Sequence, residues 1–186
     1  MKHKIAIVLS YVLTLKYRVL HSKRVIFGNN FICDFKFKIK GKGKVIIGDN
    51  VNMWSFAPHK GTYLFTQSKD AKIIIGDNSR LNGATIFSLS KVVIGKHVLL
   101  GTALIQDNDF HNLTTKSSHK SDINAKPIVI NNYAWVGGES VILKGVTIGK
   151  HSIIGIRSVV RRDIPANKIA FGNPAQIIKD IQGPNQ

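Results

Sequence analysis

Four residues in one stretch could move a proton. His111 follows Asp107 and Asp109 in "DNDFHN", and Asp122 comes eleven positions later. An imidazole with a pKa of about 6.5 accepts a proton at neutral pH when a neighbour orients its ring and offsets the imidazolium charge. A carboxylate does both, and Asp109 and Asp122 are the two candidates for that role. Metal chemistry is not expected. Cys33 is the single cysteine, and no histidine pair recurs at matching spacing near His111, so a three-histidine zinc centre lacks its ligands.

These residues interrupt a strict pattern. Asp107 to Lys126 is mostly polar, whereas Ile or Val recurs at Ile130, Val136, Ile142, Ile148, Ile154 and Val160, every sixth position. Four residues after each anchor stand Ala134, Ser140, Val146, Ser152, Ser158 and Ile164, mostly small. The same signature appears earlier as "IIGDNV" (46–51), "IIGDNS" (74–79) and "VIGKHV" (93–98). A period of six is neither helical nor that of a free strand. It suits a coil with three flat sides, one inward aliphatic per side, stacked into an all-β parallel solenoid.

Anchors one coil apart fall at Ile47, Ile75, Ile94, Ile130 and Ile148. The step of 28 from Ile47 to Ile75 implies an insertion near "SFAPHKGTYL", and the step of 36 from Ile94 to Ile130 holds the polar interruption. Solenoids throw insertions off one face, often the binding face. The expected organisation is a basic N-terminal helix and lead-in over 1–44, a solenoid over 45–165 with an extruded loop at 107–126, and a C-terminal segment over 166–186.

The length of 186 residues suits one domain. Lys and Arg number 27 against 10 acids, a net charge of +17, and the first third carries much of the excess. Such a field attracts polyanions of many kinds. No regular basic stripe is evident through the ladder, which argues against a nucleic-acid scaffold; no nucleic-acid partner is expected. The N-terminal run Ile5–Leu15 is too short to span a bilayer. Three roles stay open for it: a helix packed on the body, a helix lying on an anionic membrane surface, or an export signal. The expected location is cytoplasmic, with the inner membrane face as the alternative.

The ladder and its histidine loop resemble the hexapeptide-repeat acyltransferases, in the branch that acetylates galactosides, maltose and capsular sugars. The resemblance covers roughly residues 70–180. It rests on "PIVIN" (127–131), "AWVGG" (134–138), "VILKGVTIG" (141–149) and "SVVRRDIPANKIAFGNPAQIIK" (158–179). It implies a left-handed parallel β-helix, a homotrimer with sites between subunits, acetyl-CoA as co-substrate and no metal. The acceptor would be a sugar or glycan, acidic or lipid-linked among the options, in capsule or lipopolysaccharide chemistry.

The family's catalytic histidine falls on His111, and its acidic partner on Asp122, shortened here from Glu. The cofactor side would involve Trp135, Gly137, Gly138, Gly155, Arg157, Arg161, Arg162, Lys168 and Lys179. The acceptor side would involve Asn82, Gly83, Asp107 and Asn108. One departure is "GIRS" at 155–158 where the family has "GAGS", which puts Ile156 and Arg157 in the cofactor path. An amino-sugar N-acyltransferase is the enzymatic alternative, and a non-catalytic basic scaffold is the third reading.

Overall fold

The computed structural model describes residues 2–21, 23–56, 60–111 and 123–181, with the side chains of 2–6 and 21 excluded. Helix α1 (Lys2–His21) is followed by short strands that repeat in threes. The first face stacks Val25–Phe27, Lys44–Ile47, Lys72–Ile75, Lys91–Ile94, Ile128–Ile130 and Thr147–Ile148, all parallel. The second stacks Ile32–Cys33, Asn52–Met53, Arg80–Leu81, Leu99–Leu100, Trp135–Val136 and Ile153–Ile154. The third stacks Lys38–Gly41, Tyr63–Thr66, Thr85–Ser88, Leu104–Gln106, Val141–Leu143 and Val159–Val160. Together they wind a left-handed parallel β-helix.

The beat of six follows from the inside of this prism. Ile47, Ile75, Ile94, Ile130 and Ile148 pair in register on the first face and are each at most 1% exposed. The small residues that follow sit at corners where little fits: Ala134, Ser140, Ser152 and Ser158 are fully buried. Ser140 and Ser152 donate their hydroxyls to backbone carbonyls of Gly155 and Pro165, so the polar atom at each corner is satisfied.

The corner between the first and second faces is a column of left-handed residues. Asn30, Asn50, Asn78, His97, Tyr133, His151 and Asn167 all have φ between 53° and 63°. Asn is enriched there because its short side chain bonds locally. Asn30 Nδ2 donates to Asn50, and Asn50 Nδ2 to Asn78. His97, Tyr133 and His151 continue the column as a stack with ring centroids 4.7 and 4.8 Å apart. The two histidines are exposed, as their corner positions imply.

Two expectations are corrected. The lead-in over 1–44 already contains a complete coil, starting at Val25. Its inward residues Phe27, Phe31, Cys33, Phe37 and Ile39 extend the core, but aromatics replace the Ile/Val signature. A basic column does exist: Lys44, Lys72 and Lys91 pair in register, and Arg24 precedes the strand paired with theirs. Unequal steps between these coils conceal it in the sequence. The segment after 166 is a hairpin, with Lys168–Gly172 adding to the second face and Ala175–Asp180 pairing antiparallel with it.

Helix α1 closes the open end of the first coil. Ser10 Oγ accepts from the Cys33 N–H at 2.8 Å and donates to the Cys33 carbonyl, and the Tyr17 hydroxyl accepts from the Ile39 N–H. Burial beneath α1 pushes the Cys33 thiol up to about 12, from an ordinary value of 9.0. Above pH 9 the unfolded chain loses this proton while the folded chain keeps it, so stability falls as pH rises from about 9 towards 12. The thiol is expected to resist a disulfide reagent at pH 8 in the native state and to react once denaturant unfolds the chain.

Candidate active site

The third face ends where the loop begins. Leu104–Gln106 is its last strand before the excursion, and a crevice of about 350 Å³ opens there, lined by Gln106, Asn108, Asp109, Leu143, Lys144 and Arg161. The loop is clamped at its base by an antiparallel bridge between Asn108 and Ala125 and by the Lys126 N–H on the Asp107 carbonyl. His111 follows directly, exposed, with its N–H donating to the Asp109 carbonyl at 2.7 Å. Phe110 takes a left-handed φ of 60° and rests edge-on against Phe87, with ring centroids 4.9 Å apart. Phe87 stacks on Phe65 in turn. The histidine therefore leaves a rigid wall, anchored one residue earlier by an aromatic stack.

Two residues expected near the acceptor are structural. Asp107 is fully buried, and its carboxylate accepts from Ser88 Oγ, the Leu89 and Ser90 N–H groups and Asn108 Nδ2. Asn108 is 3% exposed; its amide also donates to Gln67 and its carbonyl oxygen accepts from the Phe110 N–H. Their side-chain polar atoms are engaged in holding the corner and the loop root, so neither residue has a polar group left over for substrate. Gly83 is corrected likewise: it is buried, and a Cβ there would meet Ser55 Oγ at 2.9 Å in the insertion that covers it. Asn82 stays half-buried and accepts from Arg80 Nε.

Asp109 was a candidate to orient His111, but its carboxylate pairs with Lys144 Nζ. That pair ties the loop root to the corner after Val141–Leu143 and sets one wall of the crevice. Asp122 lies outside the described residues. The sequence does not single out Lys144 or Gln106, although Lys144 stands in the repeat motif "VILKGVTIG" and Gln106 occupies an outward position just before the loop.

The cofactor-side residues do not share one edge of the third face. Gly137, Gly138, Gly155 and Arg157 sit at the corner entering it, whereas Arg161 lines the crevice at the corner leaving it. The three glycines differ. A Cβ on Gly137 would meet the Ile156 N at 2.6 Å and one on Gly155 the Phe171 ring at 2.5 Å, so close packing requires both. A Cβ on Gly138 would meet only Thr102, at 3.2 Å or beyond, which leaves open space outside it. Trp135 is 52% exposed on the second face, a surface residue rather than core.

Arg157 Nε donates to Glu139 at 2.8 Å, and this guanidinium, with Lys60 nearby, holds the Glu139 carboxyl below the usual carboxylate range. Lys168 pairs with Asp180 within the hairpin, while Arg162 and Lys179 are exposed. A single chain thus carries histidine and open glycine at two separate edges. Among the described residues, no group of three or more His, Cys, Asp or Glu is arranged to hold a metal ion.

The left-handed prism and its repeat of six resemble those of the hexapeptide-repeat acetyltransferases, to which the chain is similar in both fold and sequence. Within them it resembles the sugar O-acetyltransferase branch. It is 36% identical over 115 residues to galactoside O-acetyltransferase of Escherichia coli, covering 61% of this chain and 57% of that one. The crystal structure of the polySia-specific acetyltransferase NeuO matches with a TM-score of 0.63 and 26% identity, over 87% of this chain and 84% of that one. A hexapeptide-repeat acetyltransferase of Vibrio cholerae, solved with acetyl-coenzyme A, matches in fold at a TM-score of 0.56 and 24% identity, over 91% and 78%. No protein-family model matches the chain. The chain spans 57% of the length of the first curated relatives it matches.

Proposed function

We propose that the chain is an acetyl-CoA-dependent O-acetyltransferase acting on a sugar or polysaccharide hydroxyl. The observation that carries this reading is His111 exposed at the root of a clamped loop, beside a crevice that holds Lys144 and Arg161. His111 takes the proton from an acceptor hydroxyl as its oxygen attacks the thioester carbonyl. The CoA thiolate leaves and recovers a proton from the imidazolium, so no acyl-enzyme forms. The Arg161 guanidinium suits the phosphates of the donor, whereas the Lys144 ammonium is held by Asp109. The names of the similar acetyltransferases support the donor and the sugar class.

The histidine and the open glycine lie at different edges of one face, which supports a site completed by a second copy, as in a homotrimer. The column Arg24, Lys44, Lys72 and Lys91 climbs towards the loop base and favours an anionic glycan as acceptor.

The test is acetyl transfer from labelled acetyl-CoA to a panel of neutral, acidic and amino glycans. The expected product is an ester, released by mild alkali; an alkali-stable amide would instead establish an amino-sugar N-acyltransferase. Arg161→Ala is expected to raise the KM for acetyl-CoA about tenfold, the loss of one charge-assisted phosphate contact. An unchanged KM in steady-state kinetics would remove Arg161 from the donor site.

A further inference from the structure

Helix α1 is apolar on two sides. One side, Ser10, Leu13 and Tyr17, closes the first coil. The other presents Val8, Tyr11, Val12, Leu15 and Val19 at helical spacing, each between 50% and 71% exposed. A helix apolar on both sides is normally covered on both. Phe35, on the same end coil, is also 71% exposed.

Charge identifies what covers it. Lys16 and Arg18 are exposed on α1 and, at 100° per residue, flank its outer stripe on either side. Lys23, Lys38, Lys40, Lys42 and Lys44 are exposed on the coil above. Across residues 1–44 there are eleven bases and one acid. That acid, Asp34, is 4% exposed and accepts from the Lys36 and Ser55 N–H groups, so it offsets nothing at the surface. A second copy docking end to end would bring two such basic layers together, and like charge opposes it. An anionic partner with an apolar interior matches both features at once.

We propose that the α1 end of the prism docks on an anionic lipid bilayer, with Val8, Tyr11, Val12, Leu15 and Val19 entering the acyl boundary and the surrounding bases meeting phosphate headgroups. No helix among the described residues is long and apolar enough to cross a membrane, so the contact is peripheral. The prism then stands on its end, and the loop root lies three strand spacings beyond the first coil. With the thickness of α1 added, the crevice stands roughly 25 Å above the headgroups. This surface is independent of the acyl-transfer reading, and either can fail alone.

The experiment is flotation of the intact chain with vesicles of phosphatidylcholine alone and of phosphatidylcholine containing about one-third phosphatidylglycerol. Binding is expected to the anionic vesicles only, weakening as salt is raised. Replacing Val8, Val12, Leu15 and Val19 together by Ser is expected to lower vesicle affinity at least about tenfold, through lost insertion. Lys16→Gln and Arg18→Gln are each expected to lower it about fivefold. All six positions are exposed, so circular dichroism should match the parent; Arg18 also donates to the Phe27 carbonyl, so Arg18→Gln alone is expected to lower Tm slightly. A parent that stays unbound, equal binding to both vesicle types, or full binding by the fourfold variant would overturn the proposal. So would self-association through this stripe, abolished by Val12→Asp, in place of vesicle binding.

Discussion

His111→Ala should fold and melt like the parent while turnover of acetyl-CoA with a competent acceptor falls by about 10²–10⁴-fold, the usual contribution of a general base. The fold should survive because the side chain is exposed and the loop root is held elsewhere. Asp107 anchors that root, the Asp109 carboxylate goes to Lys144, and the aromatic contact belongs to Phe110. KM for acetyl-CoA should change little, because the imidazole acts on the acceptor hydroxyl. Steady-state kinetics separates the cases: a lowered kcat at constant KM fits the base role, and a raised KM at constant kcat would assign His111 to donor binding.

Asp107→Ala should do the reverse, damaging the structure first. Its carboxylate satisfies one hydroxyl, two backbone N–H groups and one amide in a fully buried corner. Removing it strands the Leu89 and Ser90 N–H groups, whereas Ser88 Oγ keeps the Lys72 carbonyl and the Asn108 amide keeps Gln67, at a cost of about 3–5 kcal/mol. For a chain of this length that lowers Tm by about 10 °C. The loop base should loosen with it, so activity falls in parallel with thermal stability. A variant of parental Tm that has lost activity would return Asp107 to the substrate site, and differential scanning calorimetry beside the kinetic assay distinguishes the two.

The difference between these aspartates shows where the sequence becomes hard to read. The hexapeptide wall was legible because each inward position admits one aliphatic side chain, and Ile130, Val136, Ile142, Ile148, Ile154 and Val160 are all buried to within 1%. The loop was legible as a break in that beat. Whether a polar residue beside the break faces substrate or fastens a corner depends on contacts from other coils: Asp107 meets Ser88, Leu89 and Ser90, seventeen to nineteen positions away. The first coil was hidden because phenylalanines under α1 replaced the aliphatic anchors. The basic column was hidden because the strands bearing Lys44, Lys72 and Lys91 are separated by unequal insertions, so only the register reveals it.

In the proposed enzyme, histidine and donor wall come from different copies of the chain. Gly138 offers the second marker, because a bulky side chain there would enter open space rather than the core. His111→Ala and Gly138→Trp chains, each inactive alone, can be coexpressed with different tags and purified as mixed assemblies. A three-fold ring that holds both chain types has one of its three interfaces with both partners intact, and about a third of parental acetyl transfer is predicted. Mixed assemblies that stay as inactive as either variant alone would contradict a site shared between subunits.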